Sequence, residues 1–399
     1  MAVVRYNYSM QIQRVYVGGW FQRTRLHLGE IYDFLRAAES PLALDKNKLQ
    51  TLRDALEITD VHLHVDQLEY VLLQSGRVKV RIYEDGLIVL TTDHAGDIQA
   101  DIDSVTSYYE TKLSPAFSYI FSLGAPVPKE LANIKTVYPY FITAYDTQTE
   151  DVTQLLAKFK QTEYFAIHHD QFDIYRGDKL YIINQNGVTD EATARFIEEQ
   201  IFVREFRGQL HRYLNLHRTI WERIAEVNER GKMTGDEIPA FKSKIDQYSK
   251  TIDFIDTRIQ QMDTYLHTRA SIFAADTRLQ AFQDMLGYKH ETLSDTLDYI
   301  KDIWHLTMRY VRTAATVFSD LSAKSTNNSV KNLTVVTSMG VGATLIGLFT
   351  TSSVPSFTIF GVFYFLALAA IGYGVNRVMN WWARRKEYGI KHIDLAKDI

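Results

Sequence analysis

Two uncharged apolar stretches near the C-terminus constrain this 399-residue chain more than any other feature. Residues 333–351 read LTVVTSMGVGATLIGLFTT and residues 357–375 read FTIFGVFYFLALAAIGYGV, joined by the short connector SSVPS. Each is about 19 residues long, enough at about 1.5 Å of rise per residue to cross a hydrocarbon layer of about 30 Å. Lys324 and Lys331 precede the first stretch, and Arg377, Arg384, Arg385, Lys386 and Lys391 follow the second. Positive charge at both outer ends places both termini in the cytoplasm and the connector outside, with Trp381 and Trp382 at an interfacial belt. The expectation is a C-terminal two-helix transmembrane hairpin over 333–378 with a basic tail over 379–399. That makes a multi-pass protein of a cell (inner) membrane, with the lipid bilayer as a partner. The alternative is a helical hairpin buried inside protein.

The first stretch differs in kind from the second. Thr334, Thr337, Val341, Thr344, Leu348 and Thr351 recur at steps of three and four and so share one helical face. Such a face suits a pore lining of hydroxyls and apolar rings, or threonines that bond their own carbonyls and only pack. Ser338 with Gly342, and Ala343 with Gly347, put small residues four apart, as close helix packing in lipid requires. Two spans cannot enclose a pore, so the pore reading calls for a homo-oligomer.

Upstream, residues 236–332 form a helical tract read as a stalk. Ile245, Tyr248, Ile252, Ile255, Ile259, Met262 and Leu266 recur at helical spacing. Leu297, Ile300, Trp304, Thr307, Val311, Ala314, Phe318 and Leu321 form a heptad seam. No proline lies between Pro239 and Pro355, so breaks are expected only at Gly287 or in the polar run 324–328. The first half of the tract suits equally a projecting stalk and a bundle folded back on the preceding domain. The seam nearest the apolar stretches reads as an oligomeric coiled coil.

Ahead of the stalk, strand and helix signals alternate. Hydrophobic residues at 46% and charged residues at 23% describe folded protein, and a mean hydropathy of −0.18 keeps any membrane part local. A net charge of −4 gives no reason to expect nucleic acid, and the absence of cysteine removes disulfides and thiolate chemistry. VRIYEDGLIVL (78–83 and 87–91, around Asp85-Gly86) and FDIYRGDKLYII (172–175 and 180–184) read as two similar hairpins. Each follows a strand–helix–strand pattern, which suggests two related α/β units over 1–123 and 134–230, the second ending in a long helix.

His62, His64 and Asp66 lie two apart on a strand, a spacing that suits metal ligands and equally exposed strand histidines; His168-His169-Asp170 echoes it. Val17-Gly18-Gly19-Trp20 lacks the lysine and serine of a phosphate loop. Arg204, Arg207, Arg212 and Arg218, with His211 and His217, make one helix basic, a solvated face or one open to an anion. No catalytic motif emerges, and the chain is not expected to be an enzyme.

The order of an α/β domain, long helices and a C-terminal apolar hairpin, with the junction NSVKNLTVV over 328–336, resembles the CorA-type divalent-cation channels. The resemblance implies a homo-oligomer, a pentamer, whose first span lines the pore and whose cytosolic domain gates cation flow. It implies divalent cations such as Mg²⁺ as cargo, with no other cofactor expected. The chain departs from that family's Gly-Met-Asn signature: residues 347–351 read GLFTT, and the similar Tyr373-Gly374-Val375-Asn376 lies at the far end of the second stretch. The alternative is a non-conducting oligomeric scaffold or ligand-sensing protein.

Overall fold

Period-two alternation over the N-terminal half builds one mixed sheet in the computed structural model. The structure describes residues 10–20, 27–65, 67–121, 138–230 and 232–350, and some of those between 363 and 389. The first half runs β1 (Gln11–Trp20), α1 (Leu28–Ala37), α2 (Lys46–Ala55), β2 (Asp60–His64), β3 (Tyr70–Ser75), β4 (Val78–Tyr83) and β5 (Leu87–Asp93). Next come α3 (Ile98–Tyr108), a π turn at Tyr109–Leu113 and α4 (Ser114–Ile120). The second half has β6 (Tyr140–Tyr145), α5 (Thr149–Lys158), β7 (Phe165–His169), β8 (Phe172–Arg176) and β9 (Leu180–Gln185). All nine strands join one sheet, in the order β2-β3-β4-β5-β1-β6-β9-β8-β7. The stretches expected as two α/β units therefore meet edge to edge along β1 and β6, which pair antiparallel. Residues 122–137, which join the two stretches, lie outside the described residues.

Both expected hairpins form. The first turns at Asp85-Gly86, where Gly86 adopts a φ of 95° that side chains disfavour. Yet the two hairpins sit differently in their halves: β5 pairs antiparallel with β1, whereas β9 pairs parallel with β6. The extra strand β3 reverses the direction of everything after it, so the likeness of the hairpins is local.

Alternate residues of β1 serve the two faces of the sheet. Val15 and Val17 enter the core made with α1 to α5, while Trp20 meets Phe202 edge-on at 5.9 Å. Gly18 shares the Trp20 face. A Cβ there would lie 2.4 Å from the Ile88 carbonyl oxygen and 3.3 Å from Ile201 Cδ1. Backbone cannot yield as a flexible side chain can, so Gly18→Ala is expected to cost about 1–3 kcal/mol of stability, read by chemical denaturation.

Three long helices follow: α6 (Asp190–Arg230), α7 (Glu237–Ala275) and α8 (Gln280–Thr350), with a short ladder between β10 (Lys232–Thr234) and β11 (Glu387–Gly389). The chain divides into two compact units, Met1–Leu214 with Thr257–Ile300, and Asn215–Asp256 with Lys301–Ile399. In the first, Phe273 of α7 meets His290 of α8. In the second, Phe241 meets Phe318 and Asp253 pairs with Arg312. Within each unit helices α7 and α8 thus run antiparallel.

The break expected at Gly287 or 324–328 falls instead at Asp276, whose side chain caps a single 3-10 turn over Thr277–Leu279 by accepting from the Arg278 amide. Gly287 sits inside α8 with open space beside it. A lone exposed glycine costs about 1 kcal/mol, too little to end a long packed helix. The heptad seam from Leu297 to Leu321 is buried by the chain's own packing, so it does not by itself require a second copy.

The expected transmembrane hairpin is overturned on the described residues, among which no helix is long and apolar enough to cross a membrane. The multi-pass membrane placement falls with it. Residues 333–350 continue α8, and most of their side chains lie outside the described residues. Most of 357–375 and of the tail 379–399 lies outside the described residues.

Candidate functional site

The apolar stripe of α7 contains an arginine. Ile252, Ile255, Ile259, Met262 and Leu266 lead at steps of three and four to Arg269 and then Phe273, and the Arg269 side chain is 2% exposed. A charge so far from water needs partners. Its Nε donates to Asp85 Oδ2 and its Nη1 donates to Glu199 Oε2 at 3.0 Å. Its guanidinium carbon lies 5.1 Å from the ring centre of Tyr83 and 4.6 Å from that of Phe202. Burial opposes the charge, but Asp85 and Glu199 outweigh it and hold Arg269 above its ordinary value.

The hairpin turn places Asp85. Its Oδ1 accepts from the Leu87 amide at 3.0 Å and its carbonyl accepts from Trp20 Nε1 at 2.8 Å. Glu199, on α6, shares a 2.9 Å hydrogen bond between its Oε1 and Nε2 of His290 on α8. Burial pushes the Glu199 carboxyl up, but Arg269 and His290 prevail and hold it below its usual range. Beside it, Glu198 accepts from Arg81 Nη1 at 2.5 Å and from the Tyr83 hydroxyl at 2.6 Å. Burial, reinforced by Glu198, pushes the Tyr83 phenol well up. Arg269 therefore joins the sheet to α6, α7 and α8 within the first compact unit.

This junction borders a cleft of about 300 Å³ lined by Arg195, Arg269, Arg278, Glu198, Glu199 and Asp276. The carboxylates facing it are already engaged. Both oxygens of Glu198 and of Glu199 accept, as above, and both oxygens of Asp276 accept from Arg278. Arg278 also donates to Glu191 at 2.6 Å. What remains unsatisfied is donor capacity. Arg269 Nη2 is buried with no partner among the described residues, and Arg195 is held only at 3.4 Å from the Tyr83 hydroxyl and 3.6 Å from Glu198. A cleft whose acceptors are taken and whose donors are open suits a ligand that presents oxygen, carboxylate and phosphate above all.

The sequence-predicted residues lie elsewhere. His62 and His64 are on the edge strand β2, where His62 Nε2 is 2.8 Å from Asp60 Oδ2 and His64 stacks on Tyr70 at 4.6 Å; Asp66 lies outside the described residues. His168 is on the opposite edge strand, paired with Asp173 at 2.9 Å. Among the described residues, no group of three histidines or carboxylates could hold a metal ion. Thr334, Thr337, Ser338 and Val341 are exposed on α8. The surroundings of Gly342, Ala343, Thr344, Gly347 and Leu348, and the whole of Thr351, lie outside the described residues. On the basic helix, Arg207, His211 and Arg218 are solvent-exposed, but Arg204 turns inward to the Gly18 carbonyl at 3.0 Å.

The residues that form the cleft did carry a signal. Arg269 follows Leu266 on the α7 stripe, and His290 stands between Leu286 and Leu293 on that of α8. A charged or titratable residue at a core position of a helix demands buried partners.

No protein-family model matches the chain, and no curated protein matches it. Among solved structures it is similar to the complete structure of the CorA magnesium transporter from Methanocaldococcus jannaschii, at 11% identity and a TM-score of 0.28, covering 63% of this chain and 91% of that one. A TM-score of 0.28 is too low to place a site or an activity on this chain.

Proposed function

We propose that the α/β half is a ligand-sensing domain whose cleft beside Arg269 binds a small carboxylate- or phosphate-bearing molecule. The unpartnered Nη2 donor of the buried Arg269, at the border of the cleft, carries this reading. The same guanidinium holds Asp85 of the sheet and Glu199 of α6, so a ligand on its third nitrogen acts directly on the joint between sheet and helices. Differential affinity for two arrangements of that joint is what a sensor needs.

The test is calorimetric titration of the whole chain with small di- and tricarboxylates and phosphate monoesters. Saturable binding is expected, with thermal stabilisation that grows with ligand and reaches about 2.7 kcal/mol at a hundred times Kd. Arg195→Gln, at a partly exposed lining position, is expected to weaken binding about tenfold. A panel without any binder, or binding indifferent to Arg195→Gln, overturns the proposal.

A further inference from the structure

Next to the Glu199–His290 pair, a second rung joins the same two helices: Lys289 Nζ on α8 donates to Gln200 Oε1 on α6 at 2.9 Å. Two more cations converge here. Arg176, on β8, lies with its guanidinium carbon 5.4 Å from the ring centre of Tyr181 on β9. Arg204, one turn after Gln200 on α6, acts on the same phenol. The opposing acid is Glu205, which Arg204 engages through Nε at 2.9 Å and Nη2 at 2.8 Å. Donors exceed acceptors as well: Gln200 Nε2 and Arg204 Nη1 are both buried with no partner among the described residues. Arg204 takes up Glu205, and two buried N–H groups have no partner among the described residues.

We infer that Lys289, Arg176, Arg204 and Gln200 form an oxyanion site on the sheet face beneath α6 and α8, separate from the cleft beside Arg269 and filled by a small phosphate or carboxylate. An anion there supplies the missing acceptor for Gln200 Nε2 and Arg204 Nη1, and offsets the repulsion between Arg176 and Lys289. That repulsion is visible at Lys289. Burial, then repulsion from Arg176, holds the Lys289 ammonium below its ordinary value. Burial lowers Arg204 also, against the pull of Glu205. A bound oxyanion reverses both effects, so occupancy favours the charged lysine.

The experiment uses the full chain carrying Arg195→Gln, so that the Arg269 cleft contributes little. Inorganic phosphate and acetate are compared with chloride at equal ionic strength. The readouts are the thermal midpoint and trace acylation of lysines at pH 8, resolved by peptide mass spectrometry. Phosphate, acetate or both are expected to raise the midpoint saturably and to slow acylation of Lys289 at least threefold while other lysines are unaffected. Which anion acts identifies the source. Arg176→Gln, at an exposed position that leaves the fold intact, is expected to weaken that protection about tenfold, and Lys289→Met to abolish the midpoint shift. Equal acylation of Lys289 with and without either anion overturns the inference, as does protection that survives Arg176→Gln unchanged.

Discussion

Replacing Arg269 with leucine is expected to lower the free energy of unfolding by about 3–5 kcal/mol, because it strands Asp85 and Glu199 as buried carboxylates without a counter-charge. The loss is not that of one ion pair on a surface, where solvent and salt take over. Asp85 and Glu199 are each about 5% exposed, and nothing replaces the guanidinium between Tyr83 and Phe202. Glu199 retains His290, so Asp85 suffers most. Adding Asp85→Asn to Arg269→Leu is therefore expected to recover part of the loss. Urea denaturation of the single and double variants checks this through the sign of the coupling. Additive losses contradict the account.

Truncating Trp304 to alanine is expected to cost a further order of about 3–5 kcal/mol in its own unit, by cavity formation. Trp304 is 0% exposed, on the α8 seam beside His217 at 5.9 Å. Its indole Nε1 is buried with no partner among the described residues, an arrangement that itself costs about 1–3 kcal/mol. Trp304→Phe removes that unsatisfied donor and keeps most of the volume, so it is expected to lie within about 1.5 kcal/mol of the parent. Thermal unfolding of the two variants separates volume from polarity: a large loss in Trp304→Phe contradicts this reading of the site.

Local chemistry was readable in the sequence where one residue type has one use. Asp85-Gly86 marks a turn because glycine tolerates the left-handed backbone, and the hairpin stands where the dipeptide puts it. The strand–helix–strand pattern is present before the second hairpin, whereas the first half carries a second helix and an extra strand ahead of its hairpin. Periodicity said less than it seemed to promise. The seam from Leu297 to Leu321 shows that one face of α8 is buried, but the same spacing serves a neighbouring chain or the chain's own helices, and here it serves the latter. Gly287 is a weak breaker, and the break falls instead at the Asp276 cap, which depends on a side-chain hydrogen bond that composition does not advertise. Length, flanking charge and two tryptophans all point the apolar C-terminal stretches to a membrane, yet among the described residues no helix is long and apolar enough to cross one.

The candidate site was legible only in fragments. Asp85, Glu199, Arg269 and His290 are brought together from a turn and three different helices. No motif spans such separations. The local trace they leave is polarity in the wrong place, an arginine and a histidine on apolar stripes, and that trace identifies a buried network without naming its members.

The most direct measurement is the arginine side-chain nitrogen NMR spectrum of the whole chain, titrated with the tightest carboxylate or phosphate found by calorimetry and assigned with Arg269→Lys. The account predicts that the Arg269 resonance moves saturably with ligand, at the affinity calorimetry gives, and that Arg195 moves with it. An Arg269 resonance that stays fixed while the ligand binds elsewhere contradicts the central claim.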